Sequence, residues 1–263
     1  MSRLISIAAG VCPETDPASF VSAAAAAGWP ACGVWFDPET WSDVVAAEVR
    51  RRLDDTGVVA LDMEPIFVLP DGNGGITDVG DRLVDAAAAV GARNVLVVNR
   101  GAGDEQFVER FAELCDRAAP AGITCALEFL AFMTVRSLSG AVAVVDAVAR
   151  PNAGVLVDGL HLARTGSTPA DVAALPSSIL PYVQICDGPA EMGPDPIADA
   201  LDLRSIPGEG GLPVRELIAV VDPATPLSLE VRSARLRTDF PDPTDRARHL
   251  LDGTRRFLET STT

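Results

Sequence analysis

Eight short apolar runs constrain the fold of this chain more than any other feature. They begin at Leu4, Ala31, Val58, Asn94, Thr124, Gly154, Tyr182 and Pro226. Each run is typical of a buried β-strand, and most begin about 30 residues after the previous one, the length of a strand plus its crossover helix. Segments with helical periodicity separate the runs. Strands that alternate with amphipathic helices predict a parallel sheet covered by helices.

Helix start and stop signals support this alternation. Asp16 followed by Pro17 predicts a helix that begins there, and Gly28 predicts its end. Thr168 and Pro169 repeat the start signal. Two architectures fit: an open doubly wound sheet and a closed barrel. The first strand leads into AAGVCPETD, which lacks the glycine spacing of a dinucleotide site. We therefore predict a single (β/α)8 TIM barrel over residues 1–263, with its active site at the C-terminal ends of strands 5 to 8.

Composition excludes several functional classes. The formal net charge of −16 disfavours nucleic acid and anionic membrane surfaces as partners. The chain has no lysine, which excludes Schiff-base chemistry and a P-loop. No apolar run approaches the roughly 18 residues of a membrane span. The start, MSRLISIAAG, favours a first strand over a signal peptide, and five cysteines in mostly apolar surroundings indicate reduced thiols and a cytoplasmic protein.

Polar side chains interrupt the apolar strands in the second half of the chain. The four residues are Glu128, Asp158, Gln184 and Glu230. Parallel strands of a barrel bring such residues to one mouth. A buried carboxylate is costly unless it is paired, and the nearby arginines, Arg164 and Arg232, lie further along the loops. Three carboxylates and an amide oxygen therefore predict one divalent metal ion, Mn2+ or Mg2+ first, with Co2+ or Zn2+ as alternatives.

The segment VDGLHLARTG carries an acid, an imidazole and a guanidinium at three-residue spacing. This spacing also fits one face of a helix. Gly159 and the later helix start at Thr168 favour a loop at the barrel mouth instead. We therefore expect His161 in a loop at the barrel mouth rather than in the core.

These motifs resemble a known family. ALEFL, VDGLHLARTG, YVQICDGP, PGEGGLP and LSLEV are similar to segments of the xylose-isomerase-like TIM-barrel superfamily of sugar phosphate isomerases and epimerases, over the whole chain. The resemblance implies that Glu128, Asp158, Gln184 and Glu230 bind one metal ion. It also implies that His161 contacts a substrate oxygen, while Glu128 and Glu230 transfer protons on either side of the substrate. Gln184 stands where ketose epimerases have histidine, as in hydroxypyruvate isomerases and certain dehydratases.

The resemblance implies a metal-dependent isomerase or epimerase that acts on a keto sugar or a related polyhydroxy carbonyl compound through an enediolate. Expulsion of a β-hydroxyl would instead make a dehydratase of the inosose or 3-dehydroshikimate type. A barrel that binds without turnover, or the metal-containing subunit of a larger sugar-processing complex, stays open. His161, Arg164, Arg232 and Trp35 are the predicted substrate contacts. The family also implies a homodimer or homotetramer.

Overall fold

The chain folds into a closed β-barrel surrounded by helices, in a computed structural model that describes residues 3–260. The strands are β1 (Ile5–Ile7), β2 (Ala31–Trp35), β3 (Val59–Pro70), β4 (Ile76–Thr77), β5 (Asn94–Asn99), β6 (Thr124–Glu128), β7 (Ala153–Asp158), β8 (Val183–Ile185) and β9 (Leu227–Leu229). Apart from β4, these are the eight predicted strands. They pair in the order β2-β1-β9-β8-β7-β6-β5-β3, all parallel, and β2 also pairs with β3. This last pairing closes the predicted (β/α)8 TIM barrel, so the fold prediction is confirmed.

Most helices lie between successive strands, as predicted, and the last two follow the last strand. They are α1 (Pro17–Ala27), α2 (Asp43–Thr56), α3 (Gly80–Val90), α4 (Asp104–Ala118), α5 (Leu138–Val148), α6 (Gly159–Arg164), α7 (Pro169–Ala173), α8 (Pro196–Asp202), α9 (Val214–Val220), α10 (Ala234–Asp239) and α11 (Pro243–Glu259). The Asp16 carboxylate accepts a hydrogen bond from the Ser19 amide, and Gly28 ends α1 with φ 95°. Within residues 3–260, no helix combines the length and the apolar character needed to cross a membrane.

The barrel interior changes character along each strand. Ala126, Leu156 and Tyr182 belong to a small buried apolar cluster inside the barrel. Two residues further along the same strands, and therefore on the same face, lie Glu128, Asp158 and Gln184, all buried. The interior is thus apolar at the amino ends of these strands and polar at their carboxyl ends. The larger apolar core lies between the barrel and the surrounding helices.

Two connections differ from the sequence interpretation. The segment from Pro65 to Thr77, whose glycines and prolines predict a long connection over the barrel mouth, is partly strand, because β3 continues to Pro70 and forms a short antiparallel pairing with β4. The prediction that a loop follows Asp158 was wrong: α6 begins at the next residue. The physical reason is local, since the Asp158 carboxylate accepts a hydrogen bond from the His161 amide (3.0 Å) and caps the helix.

Candidate active site

Three carboxylates converge at the carboxyl ends of the barrel strands. Glu128, Asp158 and Glu230 each place one side-chain oxygen within 4.8 Å of the others, and all three are buried. Asp158 ends β7, and Glu230 directly follows β9. The register of the strands places these residues at the same height in the barrel, because Asp158 pairs with Gln184 and Gln184 pairs with Ser228. The predicted acids are therefore brought together by the sheet itself.

Gln184 is fully buried at the same level. Neither its amide oxygen nor its amide nitrogen has a hydrogen-bond partner among residues 3–260. A buried amide without partners is costly, which makes its oxygen available as a ligand. Three carboxylates and an amide oxygen form the oxygen-rich donor set that Mn2+ and Mg2+ prefer. The four residues thus fit the predicted divalent ion.

A cation that the sequence interpretation overlooked lies among these acids. Arg204 is buried, and its Nη1 lies 2.6 Å from an oxygen of Asp158 and 3.2 Å from an oxygen of Glu230. Its Nε donates to the carbonyl of Ala200 on α8 (2.8 Å). The expectation that only more distant arginines were available was wrong. If all three acids are ionised, Arg204 leaves two negative charges, which a divalent cation would neutralise.

The surroundings of the three acids shift their pKa values in different directions. Burial raises the pKa of Glu128 well above its usual range, and the negative charges of Glu230 and Asp158 add to this effect. Burial likewise raises the pKa of Glu230 to about 8, although Arg204 opposes the shift. Burial acts in the same direction on Asp158, but the Arg204 charge and hydrogen bonds outweigh it and lower its pKa. Asp158 is therefore the fixed negative charge, and the two glutamates are the groups suited to gain and lose protons.

His161 projects from the first turns of α6 into the same site. Its Nε2 lies 4.0 Å from a Glu128 oxygen and 3.4 Å from Nη2 of Arg204, while Phe132 contacts the ring edge-on. Its Nδ1 is buried and has no hydrogen-bond partner within the described chain. Burial lowers the pKa of His161 to about 4, so the imidazole is neutral at pH 7. A neutral imidazole can exchange a hydrogen bond with a substrate oxygen.

A cavity of about 610 Å³ opens onto these groups. Its lining includes three of the predicted substrate contacts: Trp35, His161 and Arg232. The guanidinium of Arg232 lies over the Trp35 ring, 5.9 Å from its centre. Gly10 leaves space for this arrangement, since a Cβ there would lie 3.3 Å from Cδ of Arg232 and 3.4 Å from a Glu230 oxygen.

Arg164, the fourth predicted substrate contact, lies elsewhere. Its Nε is 2.7 Å from an oxygen of Asp199, and both side chains are almost fully buried. Its terminal nitrogens donate to the carbonyls of Pro189 and Ala190 and to the second Asp199 oxygen. Arg164 therefore ties α6 to the segment after β8, and its donors are occupied. This placement does not support a contact with substrate.

Two further buried acids were missed by sequence reasoning. Asp62 and Glu64 lie on β3, and Glu64 lines the cavity. Burial raises the pKa of Asp62 to about 7 and that of Glu64 to about 8. The Gly10 amide donates to Glu64 (3.3 Å), whereas neither Asp62 oxygen has a hydrogen-bond partner among residues 3–260, although the Tyr182 hydroxyl is close enough to affect its pKa. Acids inside the apolar run VVALDMEP were the available signal.

Comparison with known proteins identifies the family. Residues 21–257 match the family model described as "Xylose isomerase-like TIM barrel". The chain belongs to this family. A curated relative, the 3-dehydroshikimate dehydratase of Pseudomonas aeruginosa, is 26% identical over 260 residues. That alignment covers 92% of this chain but 41% of the relative, so the chain spans about two-fifths of the relative's length.

Solved structures share the fold. The IolI protein with a bound zinc atom superposes with a TM-score of 0.79 at 17% identity, covering 99% of this chain and 98% of that one. The D-allulose 3-epimerase of Methylomonas sp. has a TM-score of 0.74 at 19% identity, with 99% of both chains covered. Because the identities are low, these likenesses show the barrel fold alone.

Proposed function

We propose that this protein is a divalent-metal-dependent isomerase or epimerase that moves a proton next to a carbonyl group of a keto sugar or a related polyhydroxy compound. The observation that carries the proposal is the convergence of Glu128, Asp158 and Glu230 within 4.8 Å beside the unpartnered Gln184 amide. A bound divalent ion would supply a Lewis acid that polarises adjacent carbonyl and hydroxyl oxygens of the substrate. Mn2+ and Mg2+ are the proposed ions, with Co2+ or Zn2+ as alternatives.

The chain's own residues then divide the remaining tasks. Asp158, Gln184, Glu128 and Glu230 would hold the ion, and Arg204 would add a fixed positive charge beside Asp158 and Glu230. This charge lowers the cost of the negative charge that develops on the substrate oxygens. His161 would donate a hydrogen bond to one of those oxygens, since its imidazole is neutral and has an unpartnered ring nitrogen.

Glu128 and Glu230 are the proposed proton-transfer pair. Both residues border the cavity. Two strands, β7 and β8, separate β6 from β9, so the two glutamates approach the substrate from different sides. One carboxylate removes the proton and the other returns it, which gives epimerisation, or isomerisation if the proton moves to the neighbouring carbon. Burial raises the pKa of both glutamates, that of Glu230 to about 8, and a raised pKa suits a group that accepts and returns a proton.

A dehydratase is the second candidate. It is favoured by the Pseudomonas aeruginosa 3-dehydroshikimate dehydratase, which aligns with 92% of this chain. In this alternative the same base removes a proton next to the carbonyl, and a β-hydroxyl leaves as water instead of the carbon being reprotonated. An acid group beside the leaving oxygen would supply its proton. His161 and Glu128 lie 4.0 Å apart and are the available donors.

Metal analysis and a substrate panel test the proposal. The purified protein should contain, or be activated by, one equivalent of divalent ion, and a chelator should abolish turnover of at least one of D-allulose, inosose or 3-dehydroshikimate. In D2O, deuterium incorporation without a new conjugated absorbance indicates isomerisation or epimerisation, whereas an enone or aromatic absorbance indicates dehydration. Full activity in a metal-free, chelator-treated protein would overturn the proposal.

We further propose a cytoplasmic protein with a small carbohydrate-like substrate, acting as a homodimer or homotetramer. The cysteines at positions 12, 32, 115, 125 and 186 are buried free thiols, which suits a reducing compartment. The formal charge of −16 supports the absence of nucleic acid and membrane partners. A metal-containing subunit of a larger complex would instead show turnover only in the presence of its partner.

A further inference from the structure

Four arginines line the cavity: Arg100, Arg136, Arg204 and Arg232. Two of them stand beside the carboxylates, since Arg204 contacts Glu230 and Arg232 follows β9. The other two follow neighbouring strands. Arg100 directly follows β5, which is four strands from β9 in either direction around the closed barrel, and Arg136 lies in the connection after β6. The cavity therefore has two arginines on its β5–β6 side, in addition to the two beside the acids.

Arg100 and Arg136 form no ion pair with an acid in residues 3–260. Eleven other arginines in that range do, in a chain where acids outnumber basic residues by 37 to 21. Arg100 lies over the Phe67 ring at 5.4 Å, and Arg136 uses its Nε to donate to the Met133 carbonyl (3.1 Å). These contacts orient both side chains and leave terminal guanidinium nitrogens for a ligand.

The backbone that carries both arginines is held in place. The Arg100 amide donates to the Val68 carbonyl (2.8 Å), and the Asn99 side chain accepts from the Ala102 amide (2.9 Å). The Thr134 amide donates to the Asn99 carbonyl (3.2 Å), which links the connection after β6 to the end of β5. The two guanidinium groups are therefore presented from connected segments rather than from independent loops.

Apolar side chains line the cavity on the same β5–β6 side as the two arginines. They belong to Leu96, Val98, Leu130, Phe132 and Met133. A complementary molecule has chelating carbonyl and hydroxyl oxygens together with a negative charge. A neutral sugar would offer neither guanidinium group a negatively charged partner.

We propose that Arg100 and Arg136 form an anion-binding subsite, so that the substrate carries a carboxylate or phosphate group that these two side chains bind while its chelating oxygens lie at the metal-binding acids. This inference rests on the proposed function, which supplies the assumption that a metal ion chelates one end of the substrate. It narrows the substrate class from polyhydroxy carbonyl compounds in general to anionic ones. Planar guanidinium groups bind both kinds of anion through paired hydrogen bonds.

Calorimetric binding to the Mn2+-loaded protein tests the subsite with two matched ligand pairs. Protocatechuate and catechol share adjacent chelating oxygens and differ only in a carboxylate, while fructose 6-phosphate and fructose differ only in a phosphate. The wild-type protein should bind the anionic member of at least one pair about tenfold more tightly. The double variant Arg100→Gln with Arg136→Gln should lose this preference and leave the neutral member's affinity unchanged.

Arg93→Gln is the matched control. Arg93 is an exposed arginine immediately before β5, at the opposite end of the strand that Arg100 follows, so this variant removes a charge without touching the cavity. It should keep the preference. A preference for protocatechuate alone identifies a carboxylate subsite, and one for fructose 6-phosphate alone a phosphate subsite.

Three outcomes would overturn the inference: no preference in either pair, a preference that survives the double substitution, or an equal loss in Arg93→Gln. Failure of the proposed function gives a different signature. If catechol bound with the same affinity with and without Mn2+, the proposed contact between the metal ion and the chelating oxygens would be contradicted. The effect of the arginine substitutions on the affinity for the anionic ligands would still be measurable.

Discussion

Two groups of buried acids face the interior of this barrel, and they have different surroundings. The acids at the ends of β6, β7 and β9 converge within 4.8 Å, and Arg204 forms ion pairs with two of them, Asp158 and Glu230. Asp62 and Glu64 on β3 have one hydrogen bond from the Gly10 amide and no ion pair within the described residues. Both groups have acids with raised pKa values. Burial alone therefore does not distinguish the two groups; convergence with further oxygen donors does.

The largest difference between the two groups should appear in catalysis. Glu230→Gln removes a proposed base, so kcat should fall about a thousandfold in an assay with the substrate that the panel identifies. Glu64→Gln is the matched control on the other group and should lower kcat less than tenfold. Comparable losses in the two variants would mean that the β3 acids belong to the catalytic machinery.

Removal of Arg204 should leave the converging acids without an ion-pair partner in the described part of the chain, as Asp62 and Glu64 on β3 are. Arg204→Met leaves Asp158 buried without its cation, and we expect the metal-free protein to lose about 3 kcal/mol of unfolding free energy in urea titrations. Arg164→Met breaks the other buried ion pair, with Asp199, and should cost a similar amount. Only the Arg204 variant should also show altered Mn2+ affinity. Unchanged affinity there would argue against Arg204 as part of the site.

The β3 acids should make the metal-free protein less stable as the pH rises. Their folded pKa values, about 7 for Asp62 and about 8 for Glu64, exceed those of the unfolded chain. The folded state therefore holds more protons, and stability falls as these are lost. Between pH 6.5 and 8 these two acids should lower the unfolding free energy by about 2 kcal/mol, and Glu230, whose pKa is about 8, should add to the decrease. In this window His161, with a pKa of about 4, adds nothing further.

Glu64→Gln provides the check on this pH dependence, because it removes one titrating acid from the pair. The decrease between pH 6.5 and 8 should become clearly smaller in denaturant titrations of the variant. A wild-type protein whose stability rises over this range would contradict the sign of the effect.

The smallest effect is expected at Gly10, which touches both groups. Its amide donates to Glu64, and a Cβ would approach Arg232 to 3.3 Å and Glu230 to 3.4 Å. Gly10→Ala should shift these side chains by a few tenths of an ångström and raise KM severalfold, with kcat within about threefold of wild type. Ala9→Gly, one residue earlier, is a control that adds no side-chain atoms. Identical KM values in the two variants would show that the close approach has no functional consequence.

Much of the site was predictable because its signals are local. Glu128, Asp158, Gln184 and Glu230 interrupt apolar strands, and a parallel barrel necessarily brings strand ends to one mouth. The helix after Asp158 was missed because its start depends on a side-chain cap that competed with the loop signal of Gly159. Glu64 was missed although the same criterion applied to it.

Chain order and residue spacing by themselves determined the eight βα units, the barrel, and the level at which its interior becomes polar, because two-residue and 3.6-residue periodicities are local properties. Only the tertiary structure decided which arginine forms an ion pair with which acid. Arg164 and Arg204 look alike in the sequence, yet one pairs with Asp199 and the other with Asp158. These pairings span 35 and 46 residues, and they depend on how the segment after β8 folds back over the mouth, which no local pattern encodes.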